Sequence, residues 1–97
     1  MDLIKIGSYY YEIRECDNLA RDCSSLGESC GNSLKISIDS GICEDLKTAT
    51  LIHEIVEQLN FIYELNLEHN VITILGNTLH QVLKENENLI KKYVKKV

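Results

Sequence analysis

Three residue types that bind metals or move protons fall together at His53-Glu54-Ile55-Val56-Glu57. His53 and Glu57 are four residues apart, so on a helix they project from one face, one turn apart, and can approach a single cation. Glu54 lies about 100° around the axis, where a carboxylate can take a proton from water activated at that cation. This division of labour underlies H-E-x-x-H helices, and here glutamate replaces the second histidine. Zinc accepts a carboxylate oxygen as readily as an imidazole nitrogen, and two histidines with one glutamate form a known catalytic set that leaves one position open. The third ligand has to come from elsewhere: Glu68 or His69 at the start of the next segment, or His80. His69 and His80 are eleven residues apart, roughly 16 Å along a straight helix, so they cannot both hold one ion. From spacing alone, His53 and Glu57 also fit a solvated pair on the polar flank of a helix. His80 reads as a surface or helix-packing histidine.

The elements that must carry these residues follow from periodicity. From Asp45, a candidate N-cap, the apolar positions Ile52, Ile55, Val56, Leu59 and Ile62 keep the spacing of a core-facing stripe, and the helix is expected to end near Asn66. A second helix is expected from about Glu68 to Asn86, burying Val71, Leu75, Leu79, Val82 and Leu83. A short third follows from Leu89 to Lys96. Upstream, the aromatic-rich run 8–15 and the alternating Leu34-Lys35-Ile36-Ser37-Ile38-Asp39 read as strands. The Ser-, Gly- and Asn-crowded stretch Cys23 to Asn32 reads as a loop, preceded by a helical turn near Asn18 to Asp22. The expected fold is α+β, a small antiparallel sheet packed on a helical hairpin, in a single domain over residues 1–97.

Composition narrows the function classes. With 15 acidic and 10 basic residues the net charge is −5, which argues against a nucleic-acid surface built on lysine and arginine. The lysines at 91, 92, 95 and 96 suit a helix C-terminus. No window approaches the roughly 18 apolar residues of a membrane span, and Met1 to Lys5 lack the pattern of a signal peptide, so a cytoplasmic location is expected. Cys16, Cys23, Cys30 and Cys43 contain no C-x-x-C pair and read as small, partly buried thiols.

The run Thr50 to Leu59, preceded by the strand Lys35 to Ile38 and followed by Leu67-Glu68-His69, resembles the small zincin-like metallopeptidase-like proteins encoded by phages and prophages. The stretch Leu75 to Asn86 resembles them too, with Gly76 where two helices approach closely. The resemblance spans about Leu34 to Leu89 and implies a minimal zincin-like domain that hydrolyses a peptide bond at zinc. His53 and Glu57 would be the first two ligands, with Glu57 where a second histidine is usual, and His69 or its neighbour Glu68 would be the third. Glu54 would be the general base, taking a proton from water and returning it to the leaving amine. The strand Lys35 to Asp39 would be the edge on which a peptide or protein is laid by β-augmentation. A metal-free phage or prophage interaction module is the alternative, because the chain is small and acidic and lacks the second histidine.

Overall fold

Two residues turn the chain at its start. Gly7, at φ 63°, takes a left-handed conformation that most side chains resist, and with Ser8 it joins β1 (Asp2–Ile6) to β2 (Tyr9–Cys16) as a two-residue hairpin. The computed structural model describes residues 2–23 and 25–95, with residues 22 and 23 described by their backbone alone. After β2 come α1 (Leu19–Cys23), β3 (Gly27–Cys30), β4 (Lys35–Asp39), α2 (Glu44–Tyr63), α3 (His69–Glu85) and α4 (Glu87–Val94).

The fold class is α+β, but the sheet is mixed where a purely antiparallel one was expected. Its order is β1-β2-β4-β3, with β2 and β4 parallel and the two outer pairs antiparallel. The difference comes from residues 23–32, read from sequence as loop. They contain β3, which occupies the outside of the sheet before the chain returns as β4 between β3 and β2. Lys35 to Asp39 is therefore an interior strand, paired on both sides, and the edges are β1 and β3. The opening residues, unassigned from sequence, are β1.

The register explains the core. Ile13 pairs with Ile36 and Ile36 with Ser29, while Tyr11 pairs with Ile4 and Ile38 with Gly27. Period-two alternation thus sends Ile4, Ile6, Tyr11, Ile13, Ile36 and Ile38 to one face. Leu51, Ile55, Leu59 and Ile62 of α2 pack on that cluster. Val56 and Ile72 are also buried but lie outside the sheet cluster, where α2 meets α3. Helix α2 is consequently the middle of three layers, with the sheet on one side and α3 on the other.

Several expected details shift. Helix α2 starts after Cys43, and Asp45 lies inside its first turn, where it pairs with Lys84 at 3.0 Å and His80 at 3.3 Å instead of capping. The helix ends at Tyr63, with Glu64 left-handed at φ 50°. The face of α3 expected to be buried is not: Val71, Leu75, Leu79, Val82 and Leu83 are 37–44% exposed, and the buried positions are Ile72 and Gly76. Cys30 and Cys43 are exposed free thiols and Cys16 is half-buried.

Asp39, at the end of β4, is buried and accepts the backbone N–H groups of Ala20 and Gly41, each at 2.7 Å. Those hydrogen bonds hold its carboxyl below the usual carboxylate range, with Lys47 adding to the effect. A depressed folded-state pKa stabilises above the unfolded value near 3.9, and that stability is lost as pH falls through the folded pKa. Asp39→Asn should thus melt at a lower temperature than wild type at pH 7. The gap should begin to narrow below about pH 4, where the unfolded carboxyl takes up a proton, and should close as pH falls through the lower native value. An unchanged gap at pH 3 and pH 7 would refute this account of the turn.

Candidate metal centre

Three donors meet beside the α2–α3 turn. His53 and Glu57 leave α2 one turn apart, and His69 is the first residue of α3. One ligand atom from each lies within 4.8 Å of the other two. The His53 and His69 rings meet edge to face, with centroids 5.8 Å apart. A tetrahedral zinc with ligand distances near 2 Å asks for about 3.3 Å between donors, so modest side-chain rotation closes the rest. His53 and Glu57 are half-buried and His69 is exposed, so the cluster is reachable from solvent. Of the three candidates for the third position, His69 joins the group and Glu68 and His80 do not. His80 sits at the other end of the helical hairpin with Asp45.

The turn itself brings His69 into place. Glu64 and Asn66 both take left-handed conformations, at φ 50° and 56°. Asn60 then anchors the returning strand of chain: its backbone carbonyl accepts the Leu65 N–H at 3.2 Å, and its side-chain Oδ1 accepts the Leu67 N–H at 2.9 Å. Leu67 therefore already runs back beside α2, and two residues later His69 stands level with Glu57. This steep return removes the separation that a straight continuation of α2 would impose. Farther along α3, a Cβ on Gly76 would come 3.2 Å from the His53 Cα. Glycine there lets the helices approach at the residue that carries the first donor.

Glu54 faces a different layer. It is buried, and its Oε1 accepts the Ser29 hydroxyl of β3 at 2.7 Å. Ser29 Oγ in turn accepts Gln58 Nε2 at 2.8 Å, and Gln58 Oε1 accepts the Tyr11 hydroxyl at 2.7 Å. The result is a continuous chain, Tyr11 to Gln58 to Ser29 to Glu54, half-buried at Ser29 and buried elsewhere, which fixes the carboxylate rotamer and satisfies polar groups that would be costly alone. Burial pushes the Glu54 carboxyl above its usual range; the Ser29 hydrogen bond and the nearby His53 oppose that shift, while Glu57 and Glu28 add to it. Glu54 and His53 line one open cavity of about 260 Å³, together with Leu26, Leu46, Thr50 and Asn77. Glu54 and His53 thus share a cavity whose walls come from β3, α2 and α3.

Ser29, Gln58 and Tyr11 were not anticipated as parts of the site. Gln58 follows Glu54 by four residues and so must share its face, a signal present in the sequence. Its partner Ser29 was hidden inside the stretch read as loop. Among the described residues, no helix is long and apolar enough to cross a membrane. Comparison of the chain with protein-family models, with curated proteins and with solved structures gives no match.

Proposed function

We propose that the chain is a zinc-dependent peptide hydrolase of minimal size, like the phage-encoded proteins it resembles, with His53, Glu57 and His69 holding the ion and Glu54 acting as base. The observation that carries this reading is the convergence of those three donors from two helices, beside a buried carboxylate on the neighbouring helix face. The donor set fits zinc, since two imidazoles and one carboxylate leave a fourth position open. When bound, zinc supplies Lewis acidity to a carbonyl and lowers the pKa of water. The chain's own residues supply the rest. Glu54, held by Ser29 and made more basic by burial, takes a proton from water and passes it to the departing amine. The free edge of β3, whose Ser29 touches Glu54, offers main-chain groups to an extended peptide.

The second reading, a metal-free module that binds another protein, is favoured by the uncovered apolar side of α3. One experiment separates them. Protein purified without added metal should carry about one zinc per chain, and His53→Ala should weaken its hold by more than the 10–100-fold typical of losing a mere outer-sphere partner. Glu54→Gln should keep the metal and lose hydrolysis of a mixed peptide library. Wild-type protein that contains no zinc, and takes none up on dialysis, would end the metal reading.

A further inference from the structure

Helices α3 and α4 form one interrupted rod. The hydrogen-bond ladder runs through the junction, with the Asn86 N–H donating to the Val82 carbonyl and the Ile90 N–H to the Asn86 carbonyl. Only Asn86 departs from helical geometry, at φ −124° and ψ 28°. At about 100° per residue, Ile72, Gly76 and His80 share the side of α3 turned to α2. Val71, Leu75, Leu79 and Val82 lie roughly 100° away from that side, and Leu89 and Tyr93 continue their stripe on α4. All six are exposed, Leu89 by 55% and Tyr93 by 60%. Helix α4 packs chiefly on α3, and none of its residues is buried. An eight-residue helix with a bare apolar face has little stability of its own in water.

The whole chain is also more exposed than a compact domain of its size. It exposes 6838 Å², where a folded monomer of 11.1 kDa exposes about 5,700 Å². The excess, on the order of 1,100 Å², exceeds the roughly 800 Å² that each partner buries in a stable dimer. The radius of gyration is likewise 13.8 Å, against about 12.5 Å for a compact domain of this length.

Charge says which partner fits. All 15 acidic residues lie at or before Glu87, while four of the 10 basic ones fall within residues 91–96. An antiparallel pairing of two rods about a two-fold axis at Val82 sets Leu75 opposite Leu89 and Val71 opposite Tyr93. It also brings the basic C-terminal end of one rod, with Lys92 on the flank of the stripe, toward the α2–α3 turn of the other, where Glu64 and Glu68 are exposed. The same surface serves both subunits, as two-fold symmetry requires. We infer that the α3–α4 stripe is covered by a second copy of this chain, in an antiparallel homodimer centred on Val82. The inference makes no use of the metal donors and stands apart from the proposed activity.

Sedimentation equilibrium over a dilution series in EDTA tests it, so that no metal can bridge chains. Wild type is expected at twice the chain mass, and Leu75→Glu with Leu89→Glu should weaken association by at least about 100-fold, since each places a charge in the centre of the interface. Leu89→Glu alone keeps the comparison valid if the pair disturbs folding, because α4 hardly touches the body. Orientation is read by oxidation beside a wild-type control: Val82→Cys should link to its own copy and Val71→Cys should not. A monomeric wild type would overturn the inference and assign the stripe to another protein or to a membrane surface. Undiminished association of the variants, or self-linking at position 71, would overturn it equally.

Discussion

Ile36→Ala is expected to lower the melting temperature by about 12–30 °C. Ile36 is fully buried at the centre of β4. It sits between Ile13 on one side and Ser29 on the other, beneath the packed face of α2. Removing three carbons there forfeits their transfer free energy and leaves a cavity that a strand held on both edges cannot collapse into. Such substitutions cost about 3–4 kcal/mol, and a domain of this size loses roughly 4–8 °C per kcal/mol. Leu3→Ala is the matched control. Leu3 is 58% exposed on the edge strand β1, so its loss should stay within about 0.5 kcal/mol. Thermal melts followed by circular dichroism make the comparison, and a shift below about 5 °C for Ile36→Ala would contradict the core described here.

The second large effect is expected at Gly76, where helix packing and the donor cluster meet. An alanine Cβ at 3.2 Å from the His53 Cα is tight against backbone, but alanine also favours the helix by up to about 1 kcal/mol over glycine, so Gly76→Ala should be close to neutral. Gly76→Val has no such offset. Its two extra methyls must push α3 away from α2, at about 1–3 kcal/mol for overpacking. Because His53 is on one helix and His69 on the other, the same displacement should separate their nitrogens. Under the zinc reading, metal affinity should fall by about 10–100-fold, as it does when a ligand is misoriented. Unfolding in EDTA measures the first loss, and a competition titration with a chromophoric chelator measures the second. Full zinc affinity in a destabilised Gly76→Val would detach the donors from the helix seam.

How far the fold was legible depends on the range of the interaction that makes each element. Helix α2 was readable because Ile55, Leu59 and Ile62 repeat at helical spacing and do meet the sheet. Strand β3 was not, because Gly27-Glu28-Ser29-Cys30 has no strand-forming composition. Its position is set by Ile36 and Ile38 across the ladder and by room for Gly27, where a Cβ would come 2.4 Å from Thr50 Cγ2. The parallel pairing of β2 with β4 is equally non-local. For α3, periodicity grouped Val71, Leu75, Leu79, Val82 and Leu83 as a buried face; four of them share one side and Leu83 falls toward Ile72 and Gly76, yet all five are exposed, because a repeat reports orientation and says nothing of whether a neighbour covers it.

The candidate site divides in the same way. The pairing of His53 with Glu57 is a local consequence of helical spacing, and His69 was a candidate because a new helix had to begin near it. The turn that carries His69 back beside Glu57 is held by the Asn60 side chain on the Leu67 N–H, a contact no spacing rule encodes. The cradle of Glu54 was invisible for as long as β3 was.

Because α2 is the middle layer, the two groups of polar side chains on its neighbouring faces answer to different halves of the molecule. Glu54 and Gln58 lean on the sheet, through Ser29 and Tyr11. His53 and Glu57 lean toward α3 and its first residue. A substitution at position 57 would therefore alter the donor cluster while Glu54 keeps its hydrogen bond to Ser29 and stays part of the packed fold.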